Sequence, residues 1–549
     1  MWFVTTALAA PLLRSGTPAL PSDLPTVEAR IEIGDDEVVG EATLGWTNTT
    51  GAPLTELPIL VHANDGAAPT TSLREIVVLE GGEATVDATP DIVLVRFAQP
   101  LAPGAHASVR LAWTSRLKAL PPDVNDVFAQ SLAQLGSLSA SGGGGDYGLL
   151  ATGEGLTVVA SAVPMITPFV DGQPAVHVKR PGQAVGDLAW NGPTDWTVDL
   201  VLPEGVKAVT NLVDEQRPDG TLRAHGRGPG DLVVVAGKDL VFAEQVVNGV
   251  RVRSWSLARD ADAGRRVLTE GARSLRFLER YGAYPYTELD LVEASLTNGA
   301  GGVEFGSLAL IAAFLYRDPA ASTNPMGQLV NRMGGLGGML DMDEQRGFVV
   351  AHEVAHQWSP GFVVSDAWSN PVVDEPLAQY LAWRVTGDGM SPDAAAALAD
   401  RMIASGYAMM RMMGGDDGPA ARATSGFTGN VEYAGLIYGK APGLYLALEQ
   451  QIGRSTMDGA LRKAFAARAW TTTDASTWLA TLESSGGVGA GALGTRWWME
   501  AHGDEDLHID PNSFSALSTA LGPQGDAIEP LLKQLGVTPE SLQKMLGGK

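Results

Sequence analysis

The chain has 549 residues, enough at about 150 per domain for two to four domains with full-sized cores. Its 45% hydrophobic and 18% charged residues, with 66 glycines and 33 prolines, exclude a disordered, collagen-like or low-complexity polypeptide. Thirty-eight basic against 63 acidic side chains leave a net charge of −25, a field that repels nucleic-acid phosphates and anionic lipid and argues against a nucleic-acid partner.

Met1 to Leu13 is apolar, too short to span a bilayer, and resembles a signal-peptide core that lacks a basic start. Residues 1–23 are therefore expected to be a signal or a disordered segment, and export and a cytoplasmic location both stay open. No later apolar run reaches transmembrane length, so no transmembrane segment is expected. From Leu24 the hydrophobic period is two, as in Val27/Ala29/Ile31/Ile33, Val109/Leu111/Trp113 and Trp196/Val198/Leu200/Leu202, with Gly, Pro and Asp turns between. This predicts a β-sandwich-like domain over 24–248. The glycine run Gly142–Gly145 and the segment His225–Gly230 lack the Lys-Ser/Thr of a phosphate cradle and read as loops.

After about Arg251 the period moves towards 3.6, with Val267, Leu268, Leu275 and Leu278 on one helical face. A mostly helical domain is expected over 249–500, followed by a short helical tail over 501–549 with amphipathic pieces at 528–535 and 540–546. Within that helical domain, residues 316–344 form a Met- and Gly-rich stretch. The fold class is thus multidomain, β followed by α+β.

The absence of cysteine excludes disulfides, iron–sulfur clusters, thiolate zinc sites and cysteine nucleophiles, so any metal must sit on His, Asp and Glu. Phe348–Trp358 contains His352-Glu353-Val354-Ala355-His356. Imidazoles four residues apart on a helix point to one side and can share a cation, with Glu353 at its edge. Chance would supply this pattern in about one chain in a hundred of this composition. A catalytic zinc site needs a third protein ligand and an open position. Glu375, 19 residues after His356, is the candidate: the first helix should stop near Pro360, and Asp374 can cap a second helix that carries Pro376 in its first turn and buries Leu377, Tyr380 and Leu381.

His352-Glu353-x-x-His356 with Glu375 in a D-E-x-L-A-x-Y context resembles the gluzincin zinc aminopeptidases, the membrane alanyl aminopeptidase family. Gly301-Gly302-Val303-Glu304-Phe305 is similar to that family's G-x-M-E-N motif, and Tyr438-Gly439-Lys440-Ala441 to its downstream Y-x-K-G/A motif. Tyr281–Tyr286 and the stretch Trp46–Asn64 match further family segments, so the resemblance covers roughly residues 25–500. It implies a thermolysin-like catalytic domain and one zinc ion per chain on His352, His356 and Glu375. It further implies Glu353 as general base, Tyr438 as oxyanion donor, Glu304 as the anchor of a substrate's free α-ammonium, and Gly301 and Gly302 as a backbone that a peptide can approach closely. Peptides with a free N-terminus are the implied substrates. Val303 and Phe305 replace the family's Met and Asn, Pro376 replaces a Gly, and the 47 residues between Glu304 and His352 include an insertion. Tyr433 is the alternative oxyanion donor. An endopeptidase on the same scaffold, and a binding protein with a vestigial site, are the rival readings; the oligomeric state has no signature in the sequence.

Overall fold

The computed structural model describes residues 12–549 apart from 65–68, 128, 131–146, 178–185, 187–189, 319–327, 329–341, 512, 515, 517–518, 520–528, 531, 535–536 and 548–549. The glycine run at 142–145, most of the 316–344 stretch and part of the 528–535 segment lie outside the described residues, as does the apolar run up to Pro11.

The period-two segments form the expected β domain. A seven-stranded sheet is centred on Thr26–Ile33, which pairs antiparallel with Glu37–Thr47 and parallel with Asp195–Val201. A four-stranded sheet, a five-stranded sheet that includes Leu156–Ala160 and Val233–Gly237, and the small pair Phe169–Val170 and Gln173–Pro174 complete the domain among the described residues. Alternation places Val27, Ile31, Ile33, Val109, Leu111, Trp113, Trp196, Val198 and Leu200 in the core, where each is removed from water almost completely.

The next sheet belongs to the second domain. Its strands lie in the order Leu240–Val247, Val250–Leu257, Glu288–Ala294, Leu308–Ala312, Gly302–Phe305. The hairpin Leu240–Leu257 therefore joins this sheet whole, and the change of sheet falls eight residues or so before residue 248. Helix Ala261–Leu278 lies on it and buries Val267, Leu268, Leu275 and Leu278, as its period requires. Gly302–Phe305 is the edge strand, an antiparallel hairpin arm on Leu308–Ala312. Helices then dominate: Met342–Ala355, Pro371–Thr386, Ser405–Met412, Gly443–Ile452, Arg454–Arg468 and Ala475–Ser484. In the tail, Gly503–Asp506 and Pro539–Gly547 are helical. This two-domain order, β then mostly α, is the fold class expected above.

Residues 12–18 are stitched to the body. Leu12 is buried and its carbonyl accepts from the Thr287 amide at 2.6 Å, the Arg14 amide donates to Pro285 O at 2.8 Å, and Arg14 pairs with Glu279. Trp470 Nε1 donates to Pro18 O at 2.9 Å. Leu12 also packs over Gly226 of the β domain, where a Cβ would meet it at 2.7 Å. The segment thus touches both domains.

Candidate active site

The ligand helix Met342–Ala355 loosens into turns through Gly361, ending a few residues before Pro360 as expected. His352 and His356 project together from its end, with their Nε2 atoms 3.0 Å apart. The second helix starts at Pro371 with Asn370 as its cap residue, one turn earlier than the sequence suggests. Proline at the first helical position needs no amide partner, which lets the helix begin there. Asp374 is consequently inside the helix and caps nothing; Pro376 lies beyond the first turn. The register turns Glu375 towards the histidines and Asp374 behind them.

Glu375 Oε2 lies 3.1 Å from His352 Nε2 and 3.4 Å from His356 Nε2. A tetrahedral ion bound at about 2.1 Å separates its donors by about 3.4 Å, so these three atoms fit one zinc. Donor chemistry agrees: two imidazoles and a carboxylate, each nearly buried, are a zinc set with room for a further ligand. Burial holds His352 below the usual imidazole range. At His356 burial acts the same way but is outweighed by the Glu304 and Asp374 carboxylates, which raise it well above that range. Glu375 resists its own burial because the two histidines beside it hold it far below an ordinary carboxyl.

Asp374, fully buried, places Oδ1 3.0 Å from His356 Nδ1, and the Ser359 carbonyl lies 2.9 Å from the same nitrogen. These acceptors fix the tautomer that leaves Nε2 free for a metal. The role was missed in the sequence because a cap reading absorbed Asp374; the signal was an acid beside the ligand glutamate, one helical residue out of phase with it.

All eight sequence candidates line a single cleft of about 510 Å³: Gly301, Gly302, Glu304, His352, Glu353, His356, Glu375 and Tyr438. Tyr438 sits on a widened, π-type helical turn, Ala434–Lys440, and donates to Glu375 Oε1 at 2.5 Å. Such turns concentrate at functional sites because the extra residue re-aims a side chain. Tyr433 instead packs its ring edge-on to Tyr438 at 6.0 Å and lies under Gly186 of the β domain. Lys440, fully buried, bonds Asp417, Gly418 O and Glu500 O, and so anchors the turn from behind. Gly302 faces Glu353 so closely that a Cβ there would meet the carboxylate at 2.4 Å. Glu304 shares the cleft, 3.8 Å from His356 Nδ1; burial pushes its carboxyl up to about 7 against the pull of His356.

A family profile described as "Peptidase family M1 domain" matches residues 339–497. Residues 339–497 thus resemble an M1 peptidase domain. Aminopeptidase M1 of Arabidopsis thaliana is 23% identical over 218 residues, which are 37% of this chain and 23% of the relative. Aminopeptidase N of Acetobacter pasteurianus is 24% identical over 205 residues, 35% of this chain and 53% of that one. The chain thus spans between about a quarter and a half of these relatives. The crystal structure of an M1 zinc metallopeptidase from Deinococcus radiodurans superposes with TM-score 0.58 at 16% identity, covering 88% of this chain and 95% of its own. A mutant of that protein bound to a Tyr-Ser-Ala substrate superposes at 0.56 with 15% identity, covering 87% and 94%. The likeness extends across both domains and is one of fold.

Proposed function

We propose that the protein is a zinc-dependent aminopeptidase that hydrolyses the first peptide bond of peptides with a free N-terminus. The observation that carries this reading is the half-buried Glu304 carboxylate standing in the same cleft as the His352, His356 and Glu375 donor triad. A carboxylate there pairs with an α-ammonium and fixes the chain end next to the metal, which is what separates an exopeptidase from an endopeptidase. His352, His356 and Glu375 would hold one zinc ion, which supplies Lewis acidity towards a water and a carbonyl oxygen. Glu353 takes the proton of the attacking water and returns it to the leaving amine. Its nearly complete burial keeps that proton from bulk solvent. Tyr438 donates its O–H to the carbonyl oxygen as negative charge develops there, a contribution of about 3 kcal/mol. Gly301 and Gly302, on and beside the edge strand, leave the backbone open for an extended substrate.

The names of the curated relatives and of the substrate-bound neighbour support a peptide substrate. The test is hydrolysis of one short peptide in free and N-acetylated forms by zinc-loaded protein, with Glu353→Gln as the blank. Cleavage of the free form alone, reduced in the blank by about a thousandfold or more with zinc retained, is the expected result. Equal cleavage of both forms would establish an endopeptidase.

A further inference from the structure

The residue after the second histidine is not part of the donor set, yet it is buried and fully engaged. Gln357 is 1% exposed. Its Nε2 donates to Phe305 O at 2.9 Å, and its Oε1 accepts from the Ser307 amide at 2.9 Å. Both partners are backbone groups of the tight turn that follows Glu304 and closes the hairpin onto Leu308–Ala312. One carboxamide therefore spans the turn, satisfying a carbonyl and an amide together.

That turn needs outside support. Ser307 adopts φ +69°, a left-handed conformation that a side chain disfavours, and it is held by Ser307 Oγ on Asn211 O at 2.8 Å and by the Asp290 amide on Ser307 O at 2.9 Å. Gly306 has no room for a side chain, since a Cβ would meet Tyr286 Oη at 2.8 Å. Gly302–Phe305 is an edge strand, with a strand partner on one side only. At its start Gly301 and Gly302 lie directly on Val349 and Glu353 of the ligand helix, with no side chain to lock them. Gln357 fastens the other end of the strand to the end of the same helix.

We propose that Gln357 is a positioning residue that sets the place of the amine anchor Glu304 relative to the metal ligand His356. The proposal rests on the aminopeptidase reading above and deepens it. An anchor displaced from the donor triad binds the α-ammonium less well in ground and transition states alike, so the loss falls on KM more than on kcat.

The experiment uses the full chain loaded with zinc, alanine p-nitroanilide and its N-acetyl form as probes, and the variants Gln357→Leu and Gln357→Glu. Gln357→Leu is expected to keep its zinc and its kcat within about threefold while KM rises about tenfold. Gln357→Glu can span the turn only when protonated, donating to Phe305 O and accepting from Ser307 N. Its KM relative to wild type is therefore expected to fall towards one as pH drops from 8 to 6. Should Gln357→Leu fail to fold, that pH-dependent ratio decides alone. An unchanged KM in Gln357→Leu, a loss of zinc or of kcat in its place, or a flat pH ratio in Gln357→Glu would overturn the proposal. Wild-type protein that hydrolyses both probes equally would sink the amine anchor and the clamp with it, an outcome read before any variant is compared.

Discussion

At the scale of single residues, the candidate site divides into groups that the sequence announces and groups that only the folded chain reveals. His352, Glu353 and His356 are legible because helical spacing alone fixes where they point, and Glu375 because its context resembles a family motif. Asp374 and Gln357 are not, because their roles depend on which backbone or side-chain atoms come to face them from elsewhere in the fold. Removing the Asp374 acceptor leaves His356 Nδ1 with the Ser359 carbonyl and the more distant Glu304, and the imidazole freer to turn. Asp374→Ala is expected to weaken zinc binding about 10- to 100-fold, read by competition with a chelator at fixed pH. Gly302 offers a second test. A methyl group there meets the Glu353 carboxylate head-on, so Gly302→Ala is expected to lower kcat at least tenfold while the zinc content of the protein matches that of wild type.

At the scale of elements, each ligand-bearing piece is held from behind. The helix Pro371–Thr386 carries Arg384, fully buried, whose guanidinium bonds Glu449 at 2.6 Å and Asp458 at 2.8 Å. The π-type turn carrying Tyr438 lies on helix Ser405–Met412, with Gly439 in backbone contact: a Cβ there would stand 2.4 Å from the Tyr407 amide nitrogen. Backbone cannot yield as a flexible side chain does, so Gly439→Ala must push the turn off the helix. We expect a loss of about 1–3 kcal/mol in stability, seen as a lower melting temperature, together with a lower kcat because Tyr438 moves with the turn. The sequence motif around Tyr438 points to the tyrosine but not to the widened turn, since periodicity at 3.6 residues cannot register one inserted residue. The early start of the second ligand helix escaped for a related reason: two prolines, at 371 and 376, both invite a helix start, and packing chose the first.

At the scale of the molecule, burial of acids makes stability depend on pH. Asp214 lies where the β domain meets the cluster of Arg253, Glu288 and Asp290, and accepts from Thr210 through both oxygens. Burial raises its carboxyl from about 4 to about 7. The folded chain therefore holds a proton that the unfolded chain has already released, and stability falls as pH rises through that window. Asp214→Asn can still accept from the Thr210 amide and donate to its hydroxyl while removing the titration, so its melting temperature is expected to exceed wild type by a few degrees at pH 8 and to match it at pH 4. The domain order was legible because the hydrophobic period changes from two to 3.6. The placement of the Leu240–Leu257 hairpin in the second sheet was not, since alternation marks a strand without saying which sheet it joins. The strap of residues 12–18 also has a consequence in time. Its partner Trp470 lies 452 positions from Pro18 along the chain, so it leaves the ribosome long after the strap does. At about 5–20 residues per second the interval is on the order of 20–90 seconds. Residues 12–18 therefore complete their contacts only once the helical domain has been made.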